Sequence, residues 1–493
     1  MSNILIFSIC TVLFLYLLFV LKYELHMMQL NSYYNTRYLT WLKRNFLFRL
    51  GAIFKLFKQK EKKKLDFTPR AIRLYVMEIV LPAIVVATLF FSTVNLWFAV
   101  LALVFFILFS FVVILLANTC MIPIEKTINQ WYINDAKQKI GLHTGLIKIA
   151  ITGSYGKTSV KHFLEAILSE KYHVLITPNS YNTPLGVVRT IREQLQPIHE
   201  VFIAEMGAKK RGDIREICNI VNPGYGILTA AGAQHLEFFG SLENIKQTKL
   251  EVITALPATG VGFVNFDNIT SQDIPQTTKA KICSFAVDSE ADYTAKNITF
   301  KNKGMSFEVY HDMEKVLTLE TKLLGAHNVS NLLACCGIAL HLKVEKYQIE
   351  NAVKHIEPVS HRLEVKKLPN GITIIDDAFN SNPVGAKMAL DVLKRFEGNK
   401  KIIITPGMIE LGNSAYELNF EFGQMVATHT DRAILVGIKQ TKPLQDGLIA
   451  SGYAADNLFV CKNLNEANEQ LMRIVQTGDV VLYENDLPDN YNE

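Results

Sequence analysis

Two stretches without a charged residue constrain this chain more than any other feature. Residues 4–21 form an 18-residue run and residues 80–117 a 38-residue run, both dominated by Leu, Ile, Val and Phe. One bilayer crossing takes about 20 apolar residues, so the first run suffices for one crossing and the second for two, with a turn at Ser92-Thr93-Val94-Asn95. The reading is three transmembrane helices at about 4–21, 76–91 and 96–117. A cleaved signal peptide competes for the first run. Met1-Ser2-Asn3 supplies no basic start and Tyr23-Glu24-Leu25-His26 no small-residue cleavage site, so the run is read as a retained anchor.

Charge sets the expected orientation. Between Lys22 and Arg73 stand 13 Lys or Arg against three acids, a net +10 in a chain whose total is +5, leaving −5 for the rest. The positive-inside rule puts this basic loop, residues 22–74, in the cytoplasm. The N-terminus is then outside, and residue 118 onward returns to the cytoplasm. Residues 41–64 mix aromatic and aliphatic side chains with Lys and Arg, which suits an interfacial helix against anionic lipid; a solvated basic linker accounts for them equally well. Basic residues placed directly beside a membrane helix give no reason to expect nucleic acid.

The remainder is a soluble protein. At roughly 150 residues per domain, 493 residues predict about three units. The 49% hydrophobic content excludes disorder, and seven thinly spread Cys exclude a disulfide-stapled scaffold and point to reduced thiols. The mean hydropathy of +0.17 averages two solvents. Short apolar runs at 146–151, 201–204, 226–229, 262–265, 372–375, 401–404, 433–436 and 480–482 alternate with helical patterns. The expected fold class is therefore α/β with parallel sheets. The proposed division is 1–120 membrane anchor, 121–145 connector, 146–356 central domain and 357–493 C-terminal domain.

Chemistry begins at residues 152–159, TGSYGKTS, between a β run and a helical stretch. Backbone N–H groups of such a turn at a helix N-terminus cradle phosphate, Lys157 neutralises phosphate oxygens, and the Thr158 hydroxyl suits Mg²⁺. The general phosphate-loop pattern has a further Gly where this chain has Ile151. Glu205 follows the run 201–204, at a strand's carboxyl end where α/β sheets bind ligands. Alone it would be an ordinary capping or solvated Glu.

Other segments follow in order: NSYNTPLG at 179–186, AEMGA at 204–208, HLE at 235–237, Lys249 and Glu251, GAHNVSN at 325–331, HRLE at 361–364 and DDAFNSNP at 376–383. Together with the phosphate loop they resemble the Mur ligase superfamily, and their order fits its MurF branch, which adds D-Ala-D-Ala to the muramoyl tripeptide. The resemblance covers about residues 146–493. It leaves out the first 120, where a MurF carries its UDP-sugar-binding domain.

The resemblance implies a P-loop central ATP-binding domain and a Rossmann-like C-terminal domain. Nucleotide-binding positions would be Gly153, Ser154, Tyr155, Gly156, Lys157, Thr158, Ser159, Asn328, Asn331, Arg362, Asp376 and Asp377. One of the two aspartates would reach the ribose. Two Mg²⁺ sites would draw on Thr158, Glu205, His235 and Lys249, the last carbamylated by CO₂ into an anionic ligand. Catalysis would rest on Lys157, Lys249 and His235, and substrate would meet Asn182, Thr183, Asn380 and Asn382. Residues 405–412 match a family segment usually bearing Asp where Pro406 stands, and receive no role.

The implied reaction is transfer of ATP's γ-phosphoryl to a carboxylate, then attack of an amine on the acyl phosphate to leave an amide. The expected partners are a cell-wall precursor, lipid-linked or membrane-delivered in this reading, an amino-acid or dipeptide amine, membrane lipid and other cell-wall synthesis proteins. A poly-γ-glutamate synthetase-type ligase and a non-catalytic nucleotide-binding scaffold are the alternatives.

Overall fold

The computed structural model describes residues 3–53, 64–92, 97–179, 181–234, 236–301, 304–379 and 381–486. His235, Asn380 and most of the turn at 92–95 lie outside the described residues. The described chain divides into two units, one up to Tyr132 and the other from Ile133 onward.

The first unit is helical: Asn3–Leu30, Asn35–Ile53, Pro69–Phe91, Trp97–Leu108 and the start of Ser110–Gly141. Ile4–Leu30, Pro69–Phe91 and Ser110–Gly141 are long and apolar enough to cross a membrane. The spans differ from the sequence expectation. The first continues to Leu30, and the second begins at Pro69, where the Thr68 hydroxyl accepts from the Ala71 N–H at 3.2 Å. The expected single helix at 96–117 is broken before Ser110. There the Ser110 hydroxyl donates to Glu24 Oε1 at 2.7 Å and accepts from Arg49 Nη2 at 2.6 Å. The expected connector 121–145 is helical as far as Gly141, and the basic loop contains the helix Asn35–Ile53, kinked at Asn45.

Apolar side chains cover much of this unit's outside, among them Phe7, Leu15, Ile84, Phe91 and Leu101. Inside, Glu24 is buried under four donors: Arg49 Nε at 2.7 Å, Arg49 Nη2 at 2.6 Å, Ser110 Oγ and Tyr38 Oη at 2.5 Å. An ion pair satisfied to this extent ties three helices together at one register.

The second unit holds two sheets. The first contains β1 (Ile147–Thr152), β2 (Val174–Ile176), β3 (Val201–Glu205), β4 (Tyr225–Leu228), β5 (Val261–Asn265), β6 (Lys281–Ala286), β7 (Tyr293–Lys301), β8 (Gly304–His311) and β9 (Glu314–Thr321). Their order is β2-β3-β1-β4-β5-β6-β7-β8-β9. Pairing is parallel up to β7, then antiparallel through β8 and β9. The antiparallel extension goes beyond the parallel sheet expected from sequence. Strands β8 and β9 alternate buried and more exposed positions, the pattern of a half-covered antiparallel edge. The core beneath joins Phe163, Phe263, Phe285 and Phe307 to the apolar face of helix His327–His341.

The second sheet contains β10 (Glu364–Lys367), β11 (Thr373–Asp377), β12 (Lys401–Thr405), β13 (Arg432–Val436), β14 (Leu458–Cys461) and β15 (Val480–Glu484) in the order β10-β11-β15-β12-β13-β14. Only β10 is antiparallel to its neighbour. With helices on both faces this is a Rossmann-like layer. Strands β11, β15 and β12 end side by side, Asp377 pairing with Glu484.

Candidate active site

The phosphate loop is shaped by what holds it from behind. Strand β1 ends at Thr152, and helix Lys157–Leu168 starts after Gly156, whose φ of 82° is left-handed. No side chain caps this helix, so its first N–H groups and positive dipole end are available to an anion. Ser154 donates its N–H to Ala230 O at 2.8 Å, while its hydroxyl donates to Gly232 O at 2.9 Å and accepts from Gly232 N at 3.0 Å. Tyr155 Oη donates to Asn268 Oδ1 at 3.1 Å. Both side chains therefore brace the loop. Lys157 Nζ lies over it, donating to Gly153 O at 2.6 Å and Ser154 O at 3.2 Å.

Parallel pairing sets Glu205 opposite Ile151 at the end of β3, directly beside the loop. Thr158 Oγ1 donates to Glu205 Oε1 at 3.3 Å and Asn182 Nδ2 to the same oxygen at 3.1 Å, while Lys161 Nζ lies 3.1 Å from Oε2. Burial pushes Glu205 upward, but Lys161, Lys157 and the Asn182 amide outweigh it and hold the carboxyl below its ordinary range. Burial lowers Lys157 to about 8, opposed by Glu205 and aided by Arg362. Lys249, on helix Leu242–Thr254, is brought to about 7 by burial and then by Lys157, against the pull of Asp213 and Glu251. A hydroxyl and a carboxylate are hard oxygen donors that suit Mg²⁺. Lys249 suits such an ion only once its amine bears a carboxylate.

Asn328 and Asn331 sit in the first turns of helix His327–His341, both buried. Asn328 Nδ2 donates to Leu324 O at 2.8 Å and Asn331 Nδ2 to Asn328 Oδ1 at 3.0 Å. Asn331 packs under Gly156 so closely that a Cβ there would stand 2.6 Å from its Oδ1. The adjacent His327 was not singled out from sequence. It is half-buried, its Nδ1 is buried without a hydrogen-bond partner among the described residues, and desolvation followed by the Arg362 charge lowers it to about 4.

The C-terminal domain reaches the same place. Arg362 Nη2 donates to Thr158 Oγ1 at 3.4 Å, and its guanidinium lies 4.6 Å from the centre of the Phe379 ring. Asp377 accepts from the Leu363 N–H at 3.2 Å and interacts with Arg362, while burial raises it to about 6. Asp376 instead meets His361 Nδ1 at 2.9 Å and Lys366 Nζ at 3.0 Å. Of the two aspartates, Asp377 is thus the one beside Arg362. Thr183 and Asn382 cap helices Pro184–Gln194 and Pro383–Arg395 by accepting from Gly186 N and Gly385 N. The structure also gathers Ser381, Thr405 and Glu484 at the ends of β11, β12 and β15, a group that sequence spacing did not reveal.

This arrangement can bind a polyphosphate on a helix N-terminus, hold a divalent cation at Thr158 and Glu205, and present a second domain's arginine to the same phosphates. Comparison with known proteins agrees with the nucleotide-binding part of this reading. Residues 151–339 match the Mur ligase middle domain and residues 361–483 the Mur ligase, glutamate ligase domain. The UDP-N-acetylmuramoyl-tripeptide–D-alanyl-D-alanine ligase of Mycobacterium tuberculosis (strain CDC 1551 / Oshkosh) is 30% identical over 357 residues, covering 69% of this chain and 70% of that protein. The Escherichia coli enzyme of the same name is 27% identical over 72% of this chain and 80% of its own. MurF from Acinetobacter baumannii superposes with a TM-score of 0.66 at 26% identity, covering 74% of this chain and 78% of that one. The MurF fold of Thermotoga maritima, solved with ADP, superposes at 0.63 with 23% identity over 73% and 80% of the two chains. The chain belongs to the Mur ligase family and is an ATP-dependent ligase that forms C–N bonds.

Proposed function

We propose that this ligase is a membrane-anchored MurF-type enzyme of cell-wall precursor synthesis, joining the carboxylate of a muramoyl tripeptide to the amine of D-alanyl-D-alanine. The observation that carries the reading is the meeting of Arg362, Thr158 and Glu205 across two domains, which lets closure of the domains assemble the phosphate site. Lys157 and the loop N–H groups offset the repulsion between the acceptor carboxylate and the γ-phosphoryl it attacks. An acyl phosphate forms, and the amine then displaces phosphate to leave the amide. Thr158 and Glu205, with His235, would hold Mg²⁺, which when bound neutralises phosphate charge. A carbamylated Lys249 would supply an oxygen ligand, and burial of its amine favours the neutral form that takes up CO₂. The three apolar helices and the basic loop support anchoring with the catalytic domains in the cytoplasm.

The test is ADP release and product mass with D-alanyl-D-alanine and either UDP-N-acetylmuramoyl-tripeptide or its lipid-linked counterpart. A D-alanyl-D-alanine adduct on either acceptor supports the reading. The two arms tell whether the acceptor is soluble or membrane-delivered. Turnover with glutamate alone, building a polymer, would replace it with a poly-γ-glutamate-type ligase.

A further inference from the structure

Amide formation by this family class begins with an amine that is an ammonium ion at neutral pH, since an α-amino group titrates near 8. It must lose a proton before it can attack. The C-terminal domain holds a buried acid at the ends of its central strands. Strands β11 and β12 are separated in the sheet by β15, and α/β sheets bind ligands at strand ends where the order reverses. At that point Glu484, 1% exposed, is held by two hydroxyls. Ser381 Oγ donates to Oε1, and Thr405 Oγ1 donates to Oε2 at 2.7 Å. Thr405 is fixed, because its hydroxyl also accepts from Gly407 N at 3.0 Å. Ser381 is the less buried end of the pair, 7% exposed, and precedes the helix-capping Asn382.

We propose that Ser381 and Glu484 form the proton path for the attacking amine: Ser381 Oγ takes a proton from the substrate ammonium while its own proton passes to Glu484. The freed nitrogen pair then forms the N–C bond. The C–O bond to phosphate breaks, and its electron pair leaves on phosphate. The second N–H proton, released after attack, goes to the departing phosphate, and Glu484 returns its proton to solvent. The charged group facing Glu484 is Asp377 from β11, itself beside Arg362. Burial, reinforced by Asp377 and opposed by the two hydroxyls, raises Glu484 to about 7, a suitable strength for an acceptor at neutral pH.

This proposal rests on the amide-forming reading above, and one experiment separates the two. With ATP and each of the two acceptors, UDP-N-acetylmuramoyl-tripeptide and its lipid-linked counterpart, hydroxylamine traps the acyl phosphate independently of the peptide amine. Ser381→Ala and Glu484→Gln are expected to leave hydroxamate formation within about twofold of the unsubstituted enzyme, which also shows that they fold. Their rate of D-alanyl-D-alanine ligation should fall about a hundredfold. The parent's kcat should rise through pH 7, and Glu484→Gln should lose that inflection. Ligation by Glu484→Gln at the parent rate with the inflection kept overturns the proton path. Absence of hydroxamate from the parent overturns the acyl-phosphate reading and the path with it.

Discussion

A carboxyl group in Glu484's surroundings destabilises the fold at neutral pH, and that cost is measurable. Below the ordinary carboxylate range both folded and unfolded chains carry its proton, so no penalty arises. The penalty grows as pH rises toward the folded value of about 7 and is complete above it, on the order of 3 kcal/mol. Glu484→Gln should therefore raise the melting temperature at pH 8, with the gain shrinking toward pH 5. A lower melting temperature at pH 8 would show that the charge is structural. Lys157 makes the opposite case, a half-buried, desolvated cation retained for its ligand. Lys157→Ala should cut substrate-dependent ADP release at least about a hundredfold, and retained turnover would remove it from the mechanism. Lys157 and Thr158 could be singled out because they lie in a turn whose chemistry is local, and Glu205 because it ends a strand, whereas Arg362 was pointed to by the resemblance alone. Ser381 and Glu484 were not singled out, since 103 residues separate them and only the strand order joins them.

At the level of elements, continuous apolar runs announced β1, β3, β4, β5, β11, β12, β13 and β15, while β2, β6, β7, β10 and β14 went unread, and so did β8 and β9, whose alternation is diluted by exposed polar residues. The helical unit shows the same limit. Lack of charge marked its long helices, but Glu24 and Arg49, 25 residues apart, read as ordinary loop charges until the structure buried both. Removing one partner should leave an uncompensated buried charge, costing about 3–5 kcal/mol, whereas replacing both by apolar residues of similar size costs far less. Arg49→Met is thus expected to lower thermal stability in detergent markedly, and Glu24→Met with Arg49→Met to recover most of the loss. Equal stability of the single and double variants would show that the pair contributes no coupling. In the phosphate loop, Gly156→Ala should weaken ATP binding, since the left-handed backbone and the contact with Asn331 both resist a methyl group. ATP titration by calorimetry checks this.

For the whole molecule, the question is which side of a membrane each unit would occupy. Thirteen basic residues against three acids between Lys22 and Arg73 would direct that segment to the cytoplasm, because translocating Lys and Arg is disfavoured. An odd number of crossings then leaves the two chain ends on opposite sides. The expectation is that the chain stays with the membrane fraction through 1 M salt and alkaline carbonate washes, since about 20 apolar residues per crossing hold it independently of charge. Ser2→Cys in intact cells should react with a membrane-impermeant maleimide, and a cysteine in place of exposed Asp456 should react only after lysis. Release by salt alone would mean that the basic segment merely adheres to anionic lipid. Labelling at 456 before lysis would put the ATP site outside, where nucleotide is scarce, and would contradict the charge argument at its root.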